Sequence, residues 1–468
     1  MNKKCQVFTP KDYVEKLLDS IGYTRDLYGK TILENSCGDG NILSIIVQRY
    51  INDCKQKGIS RTRIRNGLSK DICGVEIDPE QYEKCINKLN EIVKKNNILP
   101  VKWNIKNVDY LKTNDDEKFD FIVGNPPYVT YRELSKADQT YLKDTFKSCE
   151  KGKFDYCYAF IEKSIRHLAK KGKMAYLVPS SIFKTVSGEK LRKMILPYLV
   201  LINDYTQETV FKDALIKSAI VLMTRDVLTK EIHYVDETTG IKKRVSRDQL
   251  GKKWNFANEN TGELRFGDYF KVSHVVATLF NRAFVIREWE VDEKGDYICD
   301  GIIVERGIMR NAISPKVMQM GKKEKIIFPY RYDEEHRLVR YDEKSFKKQY
   351  PGAYKYLSQF RRELDRRDSD NLAQWFEYGR SQALSNLDCE KALVSTIVSG
   401  KVVIYKLSRE VIPYAGMFIV PKTNKYSIDE GIDILLQDEF FRYSQEIGIH
   451  INGNSVRITS KDIEEYRF

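Results

Sequence analysis

Across residues 1–229, short apolar runs alternate with stretches in which apolar residues recur every three or four positions. TILEN (31–35), ICGVEI (72–77), WNIKNVDY (103–110), FDFIVG (119–124), MAYLVP (174–179), LINDYT (201–206) and SAIVLMT (218–224) have the length and apolar content of buried strands. Between them, NILSIIVQRYINDCKQ, PEQYEKCINKLNEIVKKN and CYAFIEKSIRHLAKK carry apolar residues at helical spacing. This alternation predicts an α/β fold, a doubly wound and mostly parallel sheet with helices on both faces. Such a sheet binds ligands beyond the carboxyl ends of its strands.

The pattern changes near residue 230. EIHYVDETTGIKKRVSRDQLGKKWNF is polar and turn-rich, which suits a connection or small hairpin better than a core. Beyond it, short strands (GIIVERGI, KIIFPYRY, KALVSTIV, GMFIVP) mix with helices rich in basic and aromatic residues, such as KSFKKQYPGAYKYLSQFRRELDRRD. The expected organisation is a first domain over 1–229, a connecting segment over 230–265 and a second α+β domain over 266–468.

Length supports this division, because 468 residues exceed one ordinary core. No apolar run approaches the roughly 20 residues that span a bilayer, and the N-terminus lacks a signal-peptide apolar block. The nine cysteines form no CxxC pair and the five histidines have no metal-ligand spacing, so a reduced, cytoplasmic, metal-free protein is expected. The net charge of +13 invites a polyanionic partner. Its excess lies mostly in the first 229 residues, with 39 Lys and Arg against 29 Asp and Glu.

Candidate chemistry gathers at the predicted strand ends. ENSCGDGN (34–41) follows the first strand and opens a helix. Gly38 and Gly40 permit close backbone approach to a ligand beside a helix N-terminus. The loop lacks the Lys-Ser/Thr of a P-loop and the third glycine of a dinucleotide fingerprint. Glu34 and Asp39 flank it, so a cationic cofactor is a better guest than a pyrophosphate. Glu76 ends the second strand, where an acid hydrogen-bonds ribose hydroxyls in doubly wound folds. Asp109 ends the third and is placed to receive an adenine amino group, with Tyr110 beside it as an apolar surface. Cys37, inside the loop, is expected to be buried as a small apolar residue.

The fourth strand ends in GNPPY (124–128), a rigid turn in its plainest reading. Together with FTP (8–10), ENSCGDGN, GVEID, NVDYL, the FDYCYAFIEKSI helix, MAYLVPSS and VFKDALIKSAIVLM, in that order, the chain resembles adenine-N6 DNA methyltransferases of the gamma class. These motifs span most of residues 5–225. The second half is more loosely similar to recognition domains of those enzymes, through ERGIMRNAISPK, QWFEYGRSQAL and LLQDEFFRYSQEIG followed by INGNSVRITSKDIE.

The resemblance implies S-adenosylmethionine as methyl donor and an adenine in duplex DNA as acceptor. It assigns Thr9, Pro10, Glu34, Ser36, Cys37, Gly38, Gly40, Glu76, Ile77, Asp109, Tyr110 and Asn125 to the cofactor. Asn125, Pro126, Pro127 and Tyr128 are assigned to catalysis, with Phe211 as a second aromatic against the flipped base. In WFEYGRSQ, Trp375 and Arg380 are candidates for DNA contact, with an anchor in the domain core as the plainer reading of Trp375. A monomer is expected, acting beside a separate restriction endonuclease or in phage defence, with no membrane partner. The chain begins almost at the first cofactor motif, so a stand-alone modification enzyme with no N-terminal nuclease domain is expected. RNA adenine and protein glutamine methyltransferases share the NPPY chemistry and remain alternatives, as does a DNA-binding subunit with a vestigial site.

Overall fold

The computed structural model describes residues 9–114, 116–206, 217–227, 229–256, 262–451 and 455–468. The chain forms two compact units, Met1–Phe256 and Ala257–Phe468.

The first unit is built on a nine-stranded sheet. Its strands are β1 (Ile32–Glu34), β2 (Ile72–Glu76), β3 (Asn104–Asn107), β4 (Phe119–Gly124), β5 (Leu168–Pro179), β6 (Leu199–Asp204), β7 (Ser218–Thr224), β8 (Glu231–Asp236) and β9 (Lys242–Ser246). They lie in the order β3-β2-β1-β4-β5-β7-β6-β8-β9. Strands β1 to β5 pair in parallel, whereas β7 runs antiparallel between β5 and β6. The helices are α1 (Lys11–Ile21), α2 (Asn41–Gln56), α3 (Arg61–Asp71), α4 (Pro79–Lys95), α5 (Lys136–Thr145), α6 (Cys157–His167) and α7 (Glu189–Ile195). The doubly wound, mostly parallel α/β reading therefore holds for this unit.

Alternation along the strands sorts side chains between two faces. Ile122, Met174, Tyr176 and Val178 join the core under α6 and α7, while Val123, Ala175 and Leu177 join the core under α1, α2 and α4. Each fully buried aliphatic side chain contributes roughly 1.5–3 kcal/mol. Chain order reverses between β1 and β4, which share register through Ile32 opposite Phe121. The crevice beyond their carboxyl ends is the place where a doubly wound sheet takes a ligand.

The expected connecting segment 230–265 divides differently. Its β8–β9 hairpin extends the main sheet, with β8 parallel to β6. Ile232 and Tyr234 alternate toward the core, and Trp254 and Phe256 are buried there. Tyr234 stacks on Phe256 with ring centroids 4.5 Å apart. With Leu250, five buried apolar residues spread among polar ones anchor a segment whose average composition reads as a loop.

The second unit carries several small sheets. One runs through Phe270–His274, Met417–Pro421, Lys391–Val394 and Ile404–Leu407, antiparallel throughout. Another orders Val285–Ile286, Glu324–Ile327, Met309–Ile313 and Ile412–Pro413. Fully buried charged side chains in this unit have their partners met. Lys391 donates to the carbonyls of Leu387, Cys389, Ser408 and Arg409. Glu377 is paired with Arg340. No described helix in the chain is long and apolar enough to cross a membrane.

Candidate active site

The loop after β1 is stitched to both neighbouring strands. Gly38 N–H donates to Glu76 Oε2 at 2.7 Å, and Cys37 N–H to the Val75 carbonyl at 3.0 Å. Glu76 Oε1 accepts Asp78 N–H at 2.8 Å, so one carboxylate ties the loop to the start of α4. On the other side, Ser36 Oγ donates to the Asn125 carbonyl at 3.4 Å. The sequence motifs after β1, β2 and β4 thus meet in one place. Gly40 is left-handed, at φ +84°, and a Cβ there would sit 2.7 Å from Cys85 Sγ. Glycine is required on both grounds.

Charge is handled locally. Asp39 pairs with Lys88 at 2.9 Å. Glu34 is buried, and burial pushes its carboxyl well above the usual range, with the Cys85 thiol beside it adding to the effect. Among the described residues its Oε2 has no hydrogen-bond partner, nor does Oδ1 of the buried Asn35. Two orphaned acceptors at the end of β1 suit a ligand that brings donors and positive charge. The Cys37 thiol shares a hydrogen bond with Cys85, which together with burial pushes it up and leaves it protonated and inert. This agrees with the apolar role expected for it.

The rim continues at β3. Asp109 caps the 3-10 turn Tyr110–Lys112 by accepting Leu111 N–H at 3.0 Å, with Lys112 at 3.4 Å. Ile77 and Val108 are exposed apolar residues, 42% and 41% accessible, each next to a strand-end acid. Tyr110 does not supply that surface. It is 3% exposed and enclosed by Phe160, Lys163 and His167, because its ring turns under α6. Val108 escaped the sequence reading; the mark it left was an apolar residue just before the acid.

Beyond β4, Asn125 is half-buried, Pro126 buried, and Pro127 and Tyr128 half-buried. The Tyr128 hydroxyl donates to the Leu177 carbonyl at 2.9 Å, which fixes the ring against β5, and burial pushes that hydroxyl well up. Asp155 holds the exit of this turn. It bridges Thr130, its carboxylate accepts Cys157 N–H at 3.1 Å, and Tyr156 N–H donates to the Val129 carbonyl at 2.9 Å. Asp155 was visible in FDYCYAF but not singled out.

Thr9 is buried, and Pro10 caps α1. The start of α1 lies toward the carboxyl ends of the strands, since Tyr13 packs edge-on to Tyr205 just past β6. Phe211 lies outside the described residues. In the second unit, Trp375 is a core residue: it is 8% exposed, its indole N–H donates to Glu343, and Arg361 covers its face at 4.2 Å. Its size and apolarity outweighed the exposure a DNA contact requires. Arg380 is half-exposed and paired with Asp368 and Asp370 at 3.0 and 3.2 Å. No cluster of three His, Cys, Asp or Glu able to hold a metal occurs among the described residues.

Residues 27–211, which hold the loops after β1, β2 and β4, match the Eco57I restriction-modification methylase family. Over 330 residues the chain is 26% identical to the Type II restriction enzyme and methyltransferase RM.Eco57I of Escherichia coli, covering 60% of this chain and 33% of that protein. The modification methylase CviBIII of Paramecium bursaria Chlorella virus NC1A is 32% identical over 195 residues, 42% of each chain. The chain thus spans between a third and about two fifths of the length of these relatives. The fold also resembles that of the Type IIL restriction-modification enzyme MmeI, solved with DNA, at a TM-score of 0.62 and 14% identity, over 98% of this chain and 66% of that one.

Proposed function

We propose that the protein is a site-specific DNA methyltransferase that modifies the exocyclic N6 of adenine in duplex DNA, with S-adenosylmethionine as donor. The observation that carries this reading is the hydrogen bond from Ser36 to the Asn125 carbonyl, which joins the glycine loop to the NPPY turn at the switch point of the sheet. The similarity to RM.Eco57I and CviBIII supports a role in restriction-modification or phage defence.

When bound, S-adenosylmethionine supplies an electrophilic methyl group on a sulfonium. Glu76 and Asp109 hold its ribose and adenine, Ile77 and Val108 give apolar cover, and the buried acceptors of Glu34 and Asn35 receive its positive end. Adenine's amino nitrogen is a poor nucleophile because its lone pair is delocalised into the ring. Asn125 Oδ1 and the Pro126 carbonyl accept its two hydrogens, which favours a pyramidal nitrogen with the lone pair free to attack. The two prolines keep those acceptors preorganised. The target base must leave the duplex to reach them, and the anchored ring of Tyr128 gives it a stacking surface. Phe211 is assigned the opposite face. Residues 257–468 form the target-recognition domain in this reading, with Arg380 among its DNA contacts, and a separate endonuclease is the expected companion.

Incubating the protein with methyl-labelled S-adenosylmethionine and, separately, duplex DNA, RNA and a protein extract tests the substrate class. Label in duplex DNA is expected. Label confined to RNA or protein would replace this reading with one of the other NPPY chemistries.

A further inference from the structure

Helix α6 reaches under the cofactor rim with a charged side chain that the proposed chemistry does not use. Lys163 is 6% exposed, and its ammonium donates to the Tyr110 carbonyl at 2.5 Å, the Thr113 carbonyl at 2.6 Å and Thr113 Oγ1 at 2.8 Å. It also lies 4.8 Å from the Tyr110 ring centroid. These partners belong to the turn that begins at Asp109. One helical position on, Ser164 Oγ joins Asn35 Nδ2 at 2.8 Å, Tyr176 OH at 2.7 Å and Tyr110 OH at 3.2 Å. Adjacent residues of one helix therefore grip the ends of β1 and β3 from below.

Burying an ammonium is unfavourable unless its hydrogen bonds are met. A plain core position of this size would hold leucine or methionine at no such penalty. The charge is retained where it ties α6 to a turn whose rim residue is lightly held: the Asp109 carboxylate accepts Leu111 N–H and pairs with exposed Lys112, while the Tyr141 hydroxyl holds the turn from its other side through the Leu111 carbonyl. Thr113 Oγ1 also donates to the Tyr110 carbonyl at 3.0 Å, so Lys163 and Thr113 close the turn together.

We propose that Lys163 is a positioning residue for the methyl donor, one that sets the 109–113 turn so that Asp109 meets the adenine amino group. The inference rests on the S-adenosylmethionine reading above and assigns Lys163 to the selectivity of that pocket for an amino-bearing purine.

The test is calorimetric binding of S-adenosylhomocysteine and of S-inosylhomocysteine, which lacks the amino group, to the full chain without DNA. The wild type is expected to prefer the adenosyl ligand by at least tenfold. Lys163→Met should reduce that ratio at least threefold. Thr113→Val, which removes one acceptor without leaving a buried charge unpaired, should reduce it in the same direction and serves if Lys163→Met does not fold. A general loss of stability weakens both ligands alike and leaves the ratio intact. An unchanged ratio in the folded variants, with both ligands still bound by the wild type, overturns the role of Lys163 and leaves the donor reading standing. A wild type that binds neither ligand contradicts the donor reading itself, and this inference with it.

Discussion

Thr130 and Asp155 form an isolated antiparallel bridge that fastens the exit of the Asn125–Tyr128 turn to the start of α6. The Asp155 carboxyl caps that helix start, and burial pushes it up to about 6, against the lowering effect of the Cys157 N–H bond.

Activity and stability should therefore respond to pH in opposite senses. Methyl transfer is expected to fall as pH drops through about 6, as the carboxylate that holds the turn gains a proton. Because the folded value lies above the unfolded one, the native state binds the extra proton between them, so this group's contribution to stability diminishes as pH rises from about 4 to about 6. Asp155→Asn should remove the acidic limb from single-turnover rates measured between pH 5 and 8. A limb that persists unchanged in the variant would assign it to another group.

Glu34 predicts a proton exchange on binding. Its carboxyl is held up by burial in the ligand-free protein, and a cation placed beside it favours the charged form. Binding of S-adenosylmethionine should release protons, and binding of uncharged-sulfur S-adenosylhomocysteine should release fewer. Calorimetry in two buffers of different ionisation enthalpy measures the difference. Glu34→Gln should abolish it.

Gly40→Ala should be among the most damaging small changes in the first unit. The φ of +84° and the approach to Cys85 Sγ act together. Strained backbone of this kind costs roughly 1–3 kcal/mol, and the clash adds to it. Denaturant melts should show the loss, and Cys85→Ala should relieve only the steric part.

Much of this architecture was legible because the central strands, buried on both faces, read as continuous apolar runs; all seven strands expected in the first unit are present, the half-exposed edge strand β3 among them. The hairpin at 231–246 was less legible, since its core contacts rest on Ile232, Tyr234 and Val245 amid polar neighbours. At the site, the glycines and strand-end acids announced themselves through spacing. The grip of Lys163 and Ser164 did not, because a lysine and a serine inside an amphipathic helix look like its solvated face. Only the packing of α6 over Tyr110 shows that both point inward. For Trp375 the sequence left two readings open, a DNA contact and a core anchor, and its neighbours Phe376, Tyr354 and Arg361 decide for the anchor.

Arg380→Ala tests the proposed recognition role. The guanidinium is already shared between Asp368 and Asp370, so a DNA contact has to compete with these pairs. If it makes a bidentate base contact, its loss weakens duplex binding by about 1–3 kcal/mol. Equal affinity for wild type and variant across a salt titration would remove Arg380 from the interface.

The central claim is adenine-N6 methylation of DNA by the Asn125–Tyr128 turn, and modification-aware sequencing of DNA from cells expressing the protein tests it most directly. Wild-type cells should carry N6-methyladenine at one fixed position of a short recurring sequence. Cells expressing Asn125→Ala at equal level should lose that mark, consistent with the roughly 10²-fold or greater slowing expected when a preorganised polar group is removed. Unmodified adenine in the wild type, or a mark that survives Asn125→Ala in full, would contradict the account.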